Sequence, residues 1–281
     1  RSSAVQEVIN FVHATEHAYK RRNTLPISTR FACELHRILM ANTANEDWQL
    51  GQIRKTQVFI ASERGRGLRF AAYVPPPPGD ELRRGLSQWE KWIHGDAKVH
   101  PLVKIAAAHY QFEALHPFTD GNGRIGRLLA MLQLVDYGML SHPMINLSPY
   151  FEARPDQYRR LMRNVSTRGE WNEWFSFFCN GIAHQAREAE SRVRAVIIWR
   201  DAMLERLRKN RVKGVAIDVV EHLIEHPTLS VKSIAKRHKV STQAANQAVA
   251  RLVKFGVLRE ASGKTYNRIF EAETVFEILL S

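Results

Sequence analysis

The stretch that decides the fold is His116-Pro117-Phe118-Thr119-Asp120-Gly121-Asn122-Gly123-Arg124-Ile125-Gly126-Arg127, which precedes the apolar run 128–135. That run is too apolar for a surface helix, so the polar loop is expected to open into the N-terminus of a core helix. Backbone N–H groups of a glycine-rich turn, the positive end of a helix dipole and two guanidinium groups would then converge. The pattern predicts a site for an anion.

The side chains of this stretch are those needed for chemistry on a polyphosphate. Arg124 and Arg127 lie three residues apart, on neighbouring positions of one helical face, and their planar forks suit phosphate. Asp120 offers hard oxygen ligands to a Mg²⁺ ion that substrate phosphates also hold. His116 can accept a proton near neutral pH. A capped, glycine-bearing turn with two solvated arginines is the alternative. We would favour this alternative for Gly-Asn-Gly alone, but not for the whole twelve-residue stretch.

The composition indicates a basic globular protein. The 281 residues are enough for two domains, and the hydrophobic content of 44% is ordinary. We find no apolar run of the roughly 18 residues that a membrane span needs, and no secretory signal pattern. Cys33 and Cys179 are expected to be buried free thiols, which favours a cytoplasmic protein. The net charge of +13 makes polyanions candidate partners.

The twelve-residue stretch resembles the signature of the Fic family, His-Pro-Phe-x-Asp-Gly-Asn-Gly-Arg-x-x-Arg, and matches it at every fixed position. The resemblance extends from about Val5 to about Ala189. It implies transfer of AMP from ATP, with Mg²⁺, to a Ser, Thr or Tyr hydroxyl of a protein target, which can be the enzyme itself. His116 would be the general base and Asp120 the metal ligand. The residues that would bind the ATP phosphates are Gly121, Asn122, Gly123, Arg124 and Arg127.

Three functional classes stay open at this stage. The first is an adenylyltransferase, including relatives that use another nucleotide donor or that remove AMP. The second is a DNA-binding transcriptional regulator whose Fic domain senses a nucleotide. The third is a Doc-type phosphotransferase, which the intact Asp-Gly-Asn-Gly-Arg set disfavours.

Many Fic proteins carry an inhibitory helix with the pattern Ser/Thr-x-x-x-Glu-Gly/Asn, whose glutamate pairs with the second motif arginine, here Arg127. The closest match is Ser3-Ala4-Val5-Gln6-Glu7-Val8, which lacks the final Gly or Asn. Our hypothesis is that the true inhibitory helix lies upstream of Arg1. This form should then be active without further mutation, and restoring the upstream residues should lower its activity.

Two segments rich in strand-forming residues, 56–61 and 68–74, flank a turn-like segment at 62–67. We expect a small β-hairpin over about 56–74. In Fic proteins a hairpin at this place is the flap that holds the target segment by strand addition. A simple surface hairpin is the alternative. The residues expected to contact the target are Val58, Phe59, Ile60, Phe70 and Ala71.

The C-terminal part resembles a winged helix-turn-helix domain. Segments 229–241 and 242–253 read as its helix pair, and 256–259 and 267–270 as the wing. Basic residues are concentrated here, which favours double-stranded DNA as a partner over a module for protein contacts or dimerisation. The residues expected to contact DNA are Lys232, Lys236, Ser241, Gln243, Asn246, Gln247 and Arg251.

The expected fold class is mainly α, a Fic-type helical bundle with a small β-hairpin flap followed by the winged domain. The expected domains are residues 1–185 (catalytic), 186–213 (connecting helix) and 214–281 (winged helix-turn-helix). The long stretch 182–209 is compatible with a connector, a homodimer seam or both, and we favour the connector. The aromatic residues Tyr150, Trp171, Trp174 and Phe177 either form core or include a residue that stacks on the nucleotide base, and we favour core. The other expected helices are 4–22, 29–40, 80–94, 101–115, 155–165 and 170–184.

Overall fold

A computed structural model describes residues 3–43, 49–61, 71–263 and 266–280. The chain forms two compact units, Arg1–Ala186 and Arg187–Ser281, which we describe separately. Helices dominate both of them. Within the described residues, no helix is both long and apolar enough to cross a membrane.

The first unit is a helical bundle with a two-stranded antiparallel sheet. Its strands pair Ile60 with Tyr73 and Ala61 with Ala71. Its elements are α1 (Ser3–Arg21), α2 (Thr29–Met40), β1 (Ile60–Ala61), β2 (Ala71–Tyr73), α3 (Asp80–His94), α4 (Pro101–Leu115), α5 (Asn122–Asp136), α6 (Ser148–Glu152), α7 (Pro155–Arg168) and the first part of α8 (Trp171–Lys209).

Helices α4 and α5, which are joined by the first half of the twelve-residue stretch, residues 116–121, form the centre of this bundle. Pro101 occupies the first turn of α4, where its missing N–H costs nothing. The indole N–H of Trp89 on α3 donates to Ala108 O (3.1 Å), and that of Trp174 on α8 donates to Ala106 O (2.9 Å). Helix α5 buries most of its residues, as its uniformly apolar run predicts. The stretch between them is therefore anchored in the core at both ends.

The second unit packs the C-terminal part of α8 with short helices and a three-stranded antiparallel sheet of order β3-β5-β4. Ser241 caps α11, since its Oγ accepts from Ala244 N–H (3.1 Å). Ser230 and Ser233 form a reciprocal capping box on α10. The elements are α9 (Val215–His222), β3 (Thr228–Ser230), α10 (Val231–His238), α11 (Thr242–Lys254), β4 (Arg259–Glu260), β5 (Ile269–Glu271) and α12 (Glu273–Leu280).

Helix α8 corrects one expectation, because the helices predicted at 170–184 and 182–209 are a single helix of 39 residues. The segment contains no proline. Gly181 does not end it, because its missing side chain makes room for Tyr150, whose Cδ1 would lie 2.9 Å from an added Cβ. The predicted connector 186–213 thus begins within α8.

The strands also differ from the sequence prediction. Val58 and Phe59 precede β1 instead of lying in it. The side-chain amide of Gln57 donates to the carbonyls of Val58 and Pro75, so side-chain bonds replace ladder bonds there. Phe70 lies outside the described residues. In the second unit the two predicted wing strands begin later, as β4 and β5, and β3 was not predicted.

Candidate active site

His116 is the first residue after α4 and adopts a left-handed conformation, with φ 48° and ψ 60°. Its ring is half-buried, with Nδ1 3.4 Å from Glu113 O. In the tautomer that donates from Nδ1, Nε2 carries the free electron pair. Burial lowers the pKa of His116 below 6.5 and the charge of Arg54 adds to this, whereas the Glu113 carbonyl and Asp120 act against it. The imidazole is therefore neutral, and a base, at pH 7.

The turn after His116 is locked by Asn122. Its side chain is buried, accepts from Phe118 N–H (2.9 Å) and donates to Phe118 O (2.8 Å). Only the main chain of Asn122 can therefore face a ligand. Gly121, at φ 78°, is left-handed, and an added Cβ would lie 2.9 Å from Met40 Sδ. The Ile125 N–H donates to Gly121 O (3.0 Å), whereas the N–H groups of residues 122–124 have no acceptor within the helix, which is the usual basis of a phosphate site.

Asp120 lies at the rim of this turn, with its side chain 46% exposed. Its Oδ1 accepts from Gly121 N–H (2.6 Å), and its Oδ2 lies 3.7 Å from Arg124 Nη2. The described residues contain no cluster of three or more His, Cys, Asp or Glu side chains that could hold a metal ion by themselves. A single exposed carboxylate fits Mg²⁺ that also takes phosphate oxygens and water as ligands.

Both arginines of the stretch are already engaged. Arg124 Nη1 donates to Glu7 Oε2 on α1 (3.2 Å). Arg127 donates from Nε to Ser148 Oγ (2.7 Å) and from Nη2 to Glu152 Oε1 (3.2 Å). The acid nearest in pattern to an inhibitory glutamate, Glu7, thus pairs with the first arginine of the motif and not with the second. A phosphate would have to compete with these carboxylates.

A buried polar cluster behind the site escaped sequence reasoning. His109 and Glu113 lie one turn apart on α4, a spacing that was the available signal. Burial lowers the pKa of His109 to about 3 and raises that of Glu113 to about 7. His109 Nε2 lies 3.1 Å from Tyr158 Oη. Glu113 Oε1 and His109 Nδ1 have no hydrogen-bond partner within the described part of the chain. The two side chains are therefore mainly uncharged between about pH 3 and pH 7.

The aromatic candidates for base stacking divide into two groups. Trp174 and Phe177 are buried in the core, as favoured above. Trp171 is 36% exposed, and Tyr150 is half-buried with the Arg154 guanidinium 4.1 Å from its ring centroid.

The predicted flap and DNA-contacting side chains are accessible where they are described. Phe59 is 40% exposed, and Val58, Ile60 and Ala71 are half-buried. In the second unit, two predicted DNA contacts lie on α10, one caps α11 and four lie on α11. All seven are exposed: Lys232, Lys236, Ser241, Gln243, Asn246, Gln247 and Arg251.

Comparison with known proteins agrees with this geometry. The model of the Fic/DOC family matches residues 26–134. The protein adenylyltransferase Fic of Drosophila grimshawi is 32% identical over 131 residues, 45% of this chain and 24% of the relative. That of Drosophila erecta is 30% identical over the same length. This chain thus spans about a quarter of the length of these curated relatives.

Two solved structures share the fold. A Fic family protein from Desulfovibrio desulfuricans G20 superposes with a TM-score of 0.56 at 20% identity, covering 97% of this chain and 76% of that one. Fic-1 from C. elegans gives a TM-score of 0.51 at 24% identity, covering 66% and 51%. Residues 26–134 of this chain therefore match the Fic/DOC family in sequence, and the two structures share its fold.

Proposed function

We propose that this chain is a protein adenylyltransferase that transfers AMP from ATP to a Ser, Thr or Tyr hydroxyl of a protein. The observation that carries the proposal is the position of His116, whose pKa burial lowers, in the loop 116–121 that leads into the N-terminus of α5 and its two arginines. One loop then carries the general base and leads directly into the proposed polyphosphate site. The relatives named protein adenylyltransferase Fic support the same reaction.

In this reaction His116 Nε2 removes the proton of the target hydroxyl. The hydroxyl oxygen attacks the α-phosphorus in line, the bond to the bridging oxygen breaks and pyrophosphate leaves. The N–H groups at the start of α5 and the guanidinium groups of Arg124 and Arg127 bind the phosphate oxygens. Asp120 would hold a Mg²⁺ ion, which would neutralise phosphate charge when bound.

We further propose that the second unit is a winged helix-turn-helix domain that binds double-stranded DNA. Helices α10 and α11 are joined by a short turn, and the antiparallel strands β4 and β5 would form the wing. Seven lysines and arginines and no acid lie between Glu225 and Glu260. Exposed amides on α11, those of Gln243 and Gln247, have the donors and acceptors that read base edges.

Label transfer from ATP tests the enzymatic proposal. ATP labelled at the α-phosphate should label protein with the wild-type chain and with His13→Ala, a matched control on the exposed side of α1. His116→Ala should abolish labelling while ATP binding persists. ATP binding by the wild type without transfer would contradict the proposal and favour a nucleotide-sensing regulator. Transfer of the γ-label alone would point to a phosphotransferase, and labelling from UTP or CTP to another donor.

A further inference from the structure

Arg54 is a buried cation whose guanidinium is bonded to the main chain and not to an acid. The residue is 2% exposed, and no carboxylate of the described residues forms an ion pair with its guanidinium. Nε donates to His116 O (2.8 Å), and Nη2 to Leu115 O (3.4 Å) and Pro76 O. Nη1 donates to Thr56 O (3.2 Å). Removing a cation from water is costly, so an arginine in this position calls for an explanation beyond packing.

The Nε and Nη2 groups of Arg54 cap the end of α4. The last carbonyls of a helix have no partner within it, and a positive charge there is favourable. Four consecutive carbonyls, 114–117, each accept a bond from Arg54 or Tyr73. Tyr73 Oη donates to Ala114 O (2.9 Å). The Arg54 side chain donates to Leu115 O and His116 O, and the main-chain N–H of Arg54 donates to Pro117 O (2.9 Å).

These bonds bracket the left-handed residue His116. A residue with a side chain costs roughly 1–2 kcal/mol in this conformation, and it persists only where its surroundings fix it. Arg54 bonds the carbonyls before, at and after His116, and thereby fixes the direction in which the imidazole leaves the chain.

The Nη1 and Nη2 groups of Arg54 also bind the two chain ends of the hairpin. Thr56 precedes β1 and Pro76 follows β2, and both carbonyls accept from Arg54. Gln57 Nε2 links the same two chain ends by donating to Pro75 O (3.0 Å). The Arg54 guanidinium therefore joins the two chain ends of the hairpin to the loop that carries His116.

We propose that Arg54 is a positioning residue that fixes the position of His116 relative to the hairpin. A target segment lying along the hairpin then presents its hydroxyl to the imidazole. This inference rests on the proposed adenylyltransferase function. It assigns Arg54 no contact with ATP. Loss of the link should therefore lower kcat for transfer to protein and leave the KM for ATP unchanged.

Arg54→Lys keeps the charge but replaces the planar fork by one flexible ammonium, which cannot hold both sides. Displacement of a reacting group by about 1 Å can cost on the order of 100-fold in rate. We expect kcat, measured per folded protein, to fall between roughly 30- and 100-fold, with the KM for ATP within about twofold. Arg83→Lys is the matched control, because Arg83 is exposed on α3 and pairs, within the described ranges, with the exposed Asp80. Tyr73→Phe, which removes the bond to Ala114 O alone, should lower kcat by less than Arg54→Lys does.

Hydrogen–deuterium exchange tests the link without reference to activity. Arg54→Lys should raise exchange at residues 71–76 and 113–118 together, and Arg83→Lys at neither. Faster exchange on one side alone, or unchanged kcat in Arg54→Lys, would overturn the inference. If the wild type transfers no AMP, the proposed function fails, while the exchange result still decides whether Arg54 joins the two segments. If Arg54→Lys does not fold, the Tyr73→Phe result decides, and an unchanged kcat there would count against the inference.

Discussion

Replacing Glu7 by glutamine should strengthen ATP binding. Arg124 must release Glu7 before its guanidinium can take a phosphate, and the glutamine side chain keeps the shape while removing the charge. The pair is partly exposed, with 41% of the Glu7 side chain and 23% of the Arg124 side chain accessible. Such a pair stabilises by at most about 1 kcal/mol after solvent screening. The Kd for ATP should therefore fall by no more than about fivefold.

Calorimetric titration with a non-hydrolysable ATP analogue and Mg²⁺ measures this shift directly. Glu16→Gln is the matched control, because Glu16 lies on the same helix and is exposed. Its affinity should equal that of the wild type. The rate of label transfer at sub-saturating ATP should rise in parallel with affinity in Glu7→Gln. Equal or weaker binding by Glu7→Gln would refute the reasoning, since it would show that phosphate does not compete with Glu7 for Arg124.

Three further outcomes follow from the structure. Burial, with the charge of Arg54, lowers the pKa of His116 below 6.5, so the fall of the transfer rate in acid should have its midpoint below pH 6.5; a midpoint above pH 7 would contradict this. Burial raises the pKa of Glu113 from 4.5 to about 7, so the folded protein keeps a proton that the unfolded chain has lost. Wild-type stability should thus decrease between pH 4.5 and 7, by up to about 3 kcal/mol, and Glu113→Gln should lack that decrease in urea unfolding; equal pH dependence would argue against it. In anisotropy titrations, Lys236→Ala should reduce the salt slope of DNA binding by about 1 for every sequence, whereas Gln247→Ala should relax discrimination between sequences; salt-independent binding would speak against the DNA proposal.

Helices with strong end signals could be predicted from the sequence. The predicted bounds 29–40, 80–94 and 101–115 coincide with α2, α3 and α4. Ser28 caps the first and Pro101 opens the last. A core helix after the polar loop was predicted from the apolar run 128–135, and α5 contains that run. Local chemistry decides these ends, so a single sequence contains enough information.

Contacts between distant residues could not be predicted in this way. Glu7 and Arg124 are 117 residues apart, and Arg54 and His116 are 62 apart. A glutamate on an amphipathic helix and an arginine in a loop each have many exposed alternatives. Only the packing of α1 and α5 and the course of the chain after α2 select these partners. The same limit applies to strands of two or three residues, which were placed too early or missed.

The charges at the proposed phosphate site indicate how ATP would enter it. Arg124 and Arg127 face the carboxylates of Glu7, Glu152 and Asp120, so these five side chains together are negative by one charge. A polyphosphate anion would be repelled by such a set. Glu7 and Glu152 pair with the two arginines at the surface, where an ion pair adds little stability, and the Glu152 side chain is 66% exposed. Both acids can therefore turn away at small cost, whereas Asp120 is held by the Gly121 N–H and remains at the rim. A divalent cation at Asp120 would then complete the reversal of charge, so ATP affinity should depend strongly on Mg²⁺.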